Sequence, residues 1–174
     1  MLQFDCDGRY ADVMERALYN GVLSGVSLDG QKFFYENPLA SDGTHHRQEW
    51  FACACCPPNI ARLLASLGGY AYSQSAPEDV APGVSAGRSE FRPAQSQGAT
   101  TMGDGYGLAV HLYLAGRVTC RSRLLPATLD GPPLSLRVQT RYPWEGSVRI
   151  TVESPVEFTL HLRIPGWCRK HSIK

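Results

Sequence analysis

Residues 53–69, CACCPPNIARLLASLGG, join a cysteine cluster to a predicted helix. Three cysteines fall within four positions and precede Pro57 and Pro58, which suit a first helical turn because proline lacks an N–H that this turn leaves unbonded. Apolar residues then recur at helical spacing, at Ile60, Leu63, Leu64 and Leu67. The spacing predicts an amphipathic helix with adjacent thiols at its N-terminus and an end at Gly68-Gly69.

A second amphipathic helix is predicted upstream, in residues 9–22, RYADVMERALYNGV. Its apolar stripe consists of Tyr10, Val13, Met14, Ala17 and Leu18. The Asn20-Gly21 pair predicts an end or a bend. Between the two helices, residues 26–39, VSLDGQKFFYENPL, predict a short hairpin or extended loop around Asp29-Gly30.

The second half of the chain has a different pattern. Residues 76–105 are rich in Ala, Pro, Gly, Ser and Gln and predict a flexible linker or insertion. Apolar residues then alternate with polar ones in residues 107–114, 134–140, 147–152 and 157–164, which indicates antiparallel strands of a β-sandwich. The predicted organisation is an α+β chain: a helical domain over residues 1–75, the linker, and an incomplete β-sandwich domain over residues 106–174.

Composition excludes several classes of partner. Seventeen Lys and Arg face sixteen Asp and Glu, and no basic run is long enough to follow a phosphate backbone, so nucleic acid is not an expected partner. No apolar stretch approaches a membrane span, and residues 1–10 lack the basic and apolar regions of an export signal. Six cysteines with two adjacent suit a reducing compartment better than a disulfide framework, and we expect a cytoplasmic protein.

The cysteine cluster allows three interpretations. A helix N-terminus or a bound cation lowers a thiol pKa, and two adjacent sulfurs can reach one zinc ion at about 2.3 Å, so zinc is the natural metal. A tetrahedral zinc site needs four ligands, however, and no second cysteine pair follows. Free cysteines also serve as small buried apolar residues beside a helix. A thiol redox protein is the third interpretation, which the lack of C-x-x-C spacing disfavours.

Several segments of the chain resemble glycoside hydrolase family 127, the bacterial β-L-arabinofuranosidases. The resemblance rests on residues 50–73, WFACACCPPNIARLLASLGGYAYS, on residues 9–39, and on GLAVHLY and RIPGWC in the second half. The C-x-C-C-P-P-N motif before a helix is its most specific part. The resemblance implies the C-terminal helices of an (α/α)6 barrel followed by antiparallel β-sandwich strands.

The same resemblance implies a reaction and its residues. It implies retaining hydrolysis of a terminal β-L-arabinofuranosyl residue from an oligosaccharide or glycoconjugate, with Cys55 as nucleophile and zinc ligand and Cys56 as a second zinc ligand. Tyr35 matches a position near the sugar, where its phenol would bond a hydroxyl or the sulfur; packing as a loop aromatic is the alternative. Cys53 would be a structural neighbour.

The departures from the family are equally specific. The family's E-x-C segment, which supplies a third cysteine and a glutamate to the zinc, and its glutamate acid/base have no counterpart here; position 4, two residues before Cys6, is Phe4. We therefore expect an internal piece of a larger enzyme, with little or no glycosidase activity alone. The alternative is a non-catalytic carbohydrate-binding or metal-binding relative that kept the scaffold.

Other residues allow a functional and a structural interpretation. His45 and His46 have the side chain of a zinc ligand, although a solvent-exposed loop is the favoured interpretation. Trp144 and Trp167 suit either sugar platforms or turn anchors in a sandwich. The alternation places His111 and His161 on polar strand surfaces. Cys120 and Cys168 lie in the β region, where a disulfide between them is open.

Overall fold

The computed structural model describes residue 2 and residues 6–53, 55–75, 107–120, 134–155 and 157–174. The predicted linker, residues 76–105, lies outside the described residues. The chain divides into two compact units, which are Ala11–Gly68 and the combination of Met1–Tyr10 with Gly69–Lys174. They are called the helical unit and the sheet unit below.

The described residues form three α-helices: α1 (Gly8–Ala17), α2 (Pro57–Ala65) and the short α3 (Gly68–Ala71). The pair Asn20-Gly21 was predicted to mark an end or a bend, and α1 does end before it, at Ala17, but the chain continues in a π-helical turn, Leu18–Val22, that contains both residues. There the Asn20 side-chain amide donates to the Arg16 carbonyl at 3.0 Å, which keeps the chain coiled past the last regular turn.

The end of α2 also differs from the prediction. The helix stops at Ala65, where the Ser66 amide and hydroxyl both donate to the Arg62 carbonyl, at 3.1 and 2.9 Å. Gly68 and Gly69 do not act as the stop and instead begin α3. A serine that bonds back to the preceding turn can therefore end a helix before the glycines that follow it.

The segment between α1 and α2 forms the predicted hairpin and then returns along it. Val26 and Phe33 form an antiparallel bridge, and the turn between them contains Gly30 at a φ of 73°, a value that favours glycine. Phe33 also pairs with Gln48, with N–H···O distances of 2.9 and 3.0 Å in the two directions. This double pairing positions the residues after Phe33.

The apolar stripes of the helical unit are only partly covered. Val13 on α1 is 66% exposed and Leu64 on α2 is 40% exposed. Both helices therefore leave apolar side chains exposed to solvent.

The described part of the sheet unit contains two three-stranded sheets. The first has the order β1-β2-β6, from strands β1 (Tyr72–Ser75), β2 (Gly107–Val110) and β6 (Thr159–Leu162). The second has the order β3-β4-β5, from strands β3 (Gly116–Cys120), β4 (Leu134–Thr140) and β5 (Val148–Glu153). Helices followed by small, mostly antiparallel sheets confirm the α+β class.

Two details of the strand prediction are corrected. The pair β2 and β6 is parallel, with Leu108 opposite Leu160, whereas only antiparallel pairs were expected. Strands β1 and β3 were not predicted at all. The short strand β3 carries only Val118 and Cys120 on its apolar face, which is too few residues for an alternating signal.

One apolar core draws on both sheets. Its buried members are Leu108, Val110, Tyr113, Cys120, Leu134 and Leu136. The alternation in β4 directs Leu134, Leu136 and Val138 inward and Arg137 and Gln139 outward, as a half-buried strand requires. Cys120 and Cys168 are both free thiols, so the open disulfide is not formed.

The prediction that His111 is a surface residue is wrong. The strand that was expected to run through residue 114 ends at Val110, and His111 is only 4% exposed. Its Nε2 lies 2.7 Å from the Ser73 hydroxyl, and its backbone N–H donates to the Ala71 carbonyl at 2.8 Å. Burial, together with the positive charge of Arg163, lowers the pKa of His111. A buried neutral histidine therefore joins β1 to the end of β2.

No helix within the described ranges is long and apolar enough to cross a membrane.

Candidate active site

Cys55 and Cys56 lie directly before α2, where the sequence fixes their backbone. Cys56 is the N-cap residue, and its side chain makes no capping bond. Two hydrogen bonds from Asn59 hold this turn instead: its backbone N–H donates to the Cys56 carbonyl and its side-chain amide donates to the Cys55 carbonyl, both at 3.0 Å. Both thiols are therefore held in place by their backbone while their sulfur atoms stay exposed and available.

Tyr35 reaches the cysteines through the hairpin. The backbone pairing of Phe33 with Gln48 fixes the path of the chain, and Tyr35 follows two residues after Phe33. The Phe51 ring packs beside it, with centroid distances of 5.3 Å to Tyr35 and 6.1 Å to Phe33. An aromatic cluster thus orients a phenol toward the loop before α2.

The three residues singled out in the sequence meet in space. The Tyr35 hydroxyl lies 2.6 Å from the Cys55 Sγ, across twenty positions of sequence. The Cys55 Sγ lies 3.5 Å from the Cys56 Sγ. The Cys55 sulfur is therefore the central atom of the group, in contact with both the Tyr35 phenol and the Cys56 thiol.

The arrangement distributes charge unequally among these groups. The hydrogen bond from Tyr35, followed by that from Cys56, lowers the pKa of the Cys55 thiol. The same contact with Cys55 raises the pKa of the Tyr35 phenol above its usual range. The phenol therefore stays protonated and acts as the hydrogen-bond donor to the sulfur. The contact with Cys55 also raises the pKa of Cys56. The geometry thus favours one thiolate, on Cys55, which is the form that acts as a nucleophile.

Replacing Tyr35 with Phe is expected to make Cys55 a weaker nucleophile at neutral pH in the metal-free chain. The folded-state pKa of Cys55 is lowered mainly by this hydroxyl, so its removal moves that pKa upward and reduces the thiolate fraction. The check is the rate of Cys55 alkylation by iodoacetamide from pH 5 to 10, followed by mass spectrometry with chelator present. The midpoint should move to higher pH, while that of Cys168 in the same samples should not; an unmoved Cys55 midpoint would remove Tyr35 from the site.

The cysteine pair fits two positions of a zinc site. Two thiolates at about 2.3 Å from a tetrahedral ion lie about 3.8 Å apart, close to the 3.5 Å between Cys55 and Cys56. In the part of the chain that the structure describes, no group of three or more His, Cys, Asp or Glu residues is arranged to hold a metal. The spacing of the pair is compatible with two of the four ligand positions of a tetrahedral site.

His45 has a structural environment of its own in the loop. Its ring stacks on Phe34 at 4.7 Å, and its Nε2 lies 2.9 Å from the Glu36 carbonyl. The Arg47 guanidinium also lies over Phe34, 4.4 Å from the ring centroid. These contacts support the interpretation of residues 45–47 as an exposed loop and not as zinc ligands.

Two residues of the site were not singled out from the sequence. Asn59 fixes both cysteine carbonyls, and its place directly after two prolines at a helix start was the available signal. Phe51 supports Tyr35, but a pairing between separate loops leaves no periodic pattern to detect it. Cys53 also acts on the site electrostatically, because its thiol further raises the pKa of the Tyr35 phenol.

Two family models match the chain. The model described as Beta-L-arabinofuranosidase, GH127 catalytic domain, matches residues 1–69, which include Tyr35 and the whole cysteine cluster. The model described as Beta-L-arabinofuranosidase, GH127 middle domain, matches residues 107–174, which include strands β2 to β6.

Individual proteins agree with these matches. A non-reducing end beta-L-arabinofuranosidase from Bifidobacterium longum subsp. longum is 32% identical over 97% of this chain. A solved structure titled Glycoside hydrolase is 35% identical, with a TM-score of 0.63 over 95% of this chain. The chain spans 22% of the first protein and 23% of the second. With both a catalytic-domain and a middle-domain match, the chain belongs to glycoside hydrolase family 127, the β-L-arabinofuranosidase family.

Proposed function

We propose that this chain is part of a retaining, zinc-dependent β-L-arabinofuranosidase in which Cys55 is the nucleophile. The observation that carries the proposal is the position of the Cys55 sulfur, 2.6 Å from the Tyr35 hydroxyl and 3.5 Å from the Cys56 sulfur, within the catalytic-domain match. The substrate would be a terminal β-L-arabinofuranosyl residue of an oligosaccharide or glycoconjugate, the sugar that the family description and the Bifidobacterium relative both name.

The reaction would proceed in two displacements at the anomeric carbon. In the first, the Cys55 thiolate attacks that carbon, the bond to the leaving oxygen breaks, and a carboxylic acid about 5 to 5.5 Å away protonates the oxygen. The product is a glycosyl thioether on Cys55. In the second, the same carboxylate takes a proton from water, the oxygen of that water attacks the anomeric carbon, and the Cys55 thiolate leaves. Two inversions give net retention.

Tyr35 would act on both steps through the sulfur. Its hydroxyl donates to Cys55 when the sulfur is a thiolate, and it can turn to a sugar hydroxyl when the sulfur is bonded to carbon. Cys55 and Cys56 would hold the zinc, which when bound keeps the nucleophilic sulfur deprotonated and improves it as a leaving group. Asn59 would keep both sulfurs at a fixed spacing through the backbone.

The chain alone is expected to bind zinc weakly and to turn over no substrate. Two thiolates give far less than the roughly 10–16 kcal/mol of a complete structural site. The sequence also contains no match to the family's glutamate acid/base, so no positioned group would protonate the leaving oxygen.

Zinc is expected to protect Cys55 and Cys56 from alkylation together. The measurement is the extent of N-ethylmaleimide labelling at each cysteine by mass spectrometry, as zinc is raised from micromolar to millimolar concentration. The internal control is Cys168, a thiol in the sheet unit, which should label equally at every zinc concentration. Cys55→Ser should remove the protection of Cys56 as well, because a single thiolate does not retain the ion. Labelling of Cys55 and Cys56 that does not respond to zinc would contradict the proposed metal pair.

A further inference from the structure

The outer face of the second sheet carries a cluster of arginines. Arg117 on β3 lies directly opposite Arg137 on β4, and Arg137 lies opposite Thr151 on β5. Arg149 lies two residues from Thr151 on the same strand and therefore on the same face, opposite Gln139. Directly opposite residues have Cβ atoms about 5 Å apart and diagonal ones about 7–8 Å, so three guanidinium groups share one small surface.

This arrangement disfavours the folded sheet. Like charges directly opposite each other destabilise an antiparallel pair, and Arg117 and Arg137 are such a pair. None of the three arginines forms an ion pair with an acidic side chain in the described ranges. The carboxylate that shares the face, Glu153, accepts a hydrogen bond from Ser135 at 3.0 Å. An anion bound from outside would relieve the repulsion.

Groups suited to hydroxyl recognition lie beside these charges. An open pocket of about 360 Å³ is lined by Gln139, Ser147, Val148 and Arg149, and so offers an amide, a hydroxyl and a guanidinium. The turn between β4 and β5 carries Trp144, which is 85% exposed. An exposed indole ring offers an apolar face that suits contact with the C–H face of a sugar ring.

We propose that the outer face of the β3-β4-β5 sheet binds a carboxylate-bearing glycan, with uronate groups paired to Arg117, Arg137 and Arg149. Guanidinium groups bind carboxylates in a bidentate manner, and the pocket next to Arg149 would receive the hydroxyls of the same sugar. The face would hold an acidic region of the polymer that carries the arabinofuranosyl substrate. The choice of a glycan as the source of the carboxylates rests on the proposed function.

A phosphate polymer fits the surface less well. Binding to a phosphate backbone draws on many cations along a track, whereas this face has three and the chain as a whole has a formal net charge of only +1. Separate carboxylates between hydroxyl-rich rings match both the few cations and the polar pocket beside them.

The test compares polygalacturonate oligomers with their methyl esters, which have the same backbone without the charge. Binding to the full 174-residue chain is measured by calorimetry at low salt and at 150 mM salt. The parent chain should bind the acid form and not the ester, and binding should weaken as salt rises. The double variant Arg117→Gln/Arg137→Gln should bind about three- to tenfold more weakly, the effect of losing two exposed ion pairs. Arg169→Gln removes an exposed positive charge elsewhere in the sheet unit and is the matched control.

Several results would overturn the inference. Equal binding of acid and ester, equal binding by the double variant, or binding of a single-stranded DNA oligomer as tightly as polygalacturonate would each exclude a uronate site. A thermal melt of the double variant keeps the result interpretable, because removal of a like-charge pair should leave the melting temperature unchanged or raised. The probe contains no arabinofuranose and the assay needs no hydrolysis. A negative result here therefore leaves the Cys55 nucleophile untouched, and a catalytic failure leaves this face untouched.

Discussion

Replacing Cys55 with Ala is expected to lower kcat/KM for an aryl β-L-arabinofuranoside by about 10⁶-fold, the scale of losing a catalytic nucleophile. The protein for this test is a chimera in which residues 1–174 replace the matching 22% of the Bifidobacterium longum arabinofuranosidase. The reason for so large an effect is that alanine has no atom to form the covalent intermediate.

Three matched variants of the chimera separate the possible causes of that loss. Cys168→Ala removes a thiol that lies outside the catalytic-domain match and should leave activity within about twofold, as substitutions away from a site usually do. Cys56→Ala should lower both zinc content and activity, whereas Cys55→Ala should abolish the covalent intermediate trapped by an inactivator. Full activity of Cys55→Ala beside an inactive Cys56→Ala would move the nucleophile to the neighbouring position.

Azide rescue offers a further distinction between a nucleophile and a positioning residue. A small external nucleophile can take the place of the missing sulfur only if the acid/base remains competent, and the product then has the inverted configuration. Tyr35→Phe, which leaves the sulfur in place, should keep retention and lose only part of kcat. Inverted product from Tyr35→Phe would contradict the assignment of Cys55 as the attacking group.

The sequence predicted the local elements that repeat regularly along the chain. Apolar spacing of three and four residues located α1 and α2, and strict alternation located β4 and β5. It did not locate β1 or the parallel pairing of β2 with β6, because pairing between distant segments leaves no periodic trace. The alternation assigned His111 to a polar surface. The strand ends at Val110, however, and the His111 side chain is buried against Ser73.

The candidate site shows the same division between local and distant information. The adjacent cysteines and the helix start were evident from seven consecutive residues, and the family resemblance supplied Tyr35. The contact between Tyr35 and Cys55 depends on the pairing of Phe33 with Gln48, which joins two loops with no regular pattern. Hydrogen-bond partners such as Asn59 follow from the backbone path at the helix start, which only coordinates provide.

Replacing Leu136 with Ala is expected to destabilise the chain by about 2–5 kcal/mol, a large part of the roughly 5–15 kcal/mol that holds a domain folded. Leu136 is fully buried at the centre of β4, between Val118 of β3 and Val152 of β5. The loss combines the transfer energy of the removed methyl groups with the cavity left in a core shared by both sheets.

The matched control for Leu136→Ala is Val152→Ala, because Val152 is the cross-strand partner on the same face but is 41% exposed at the sheet edge. Its truncation leaves little cavity and should cost less than about 1 kcal/mol. The measurement is urea unfolding of the 174-residue chain, with the midpoint compared at an unchanged slope. Leu136 and Val152 are directly opposite each other on neighbouring strands and differ in how deeply they are buried. Equal shifts of the urea midpoint for the two variants would therefore mean that burial of Leu136 does not stabilise the sheet unit.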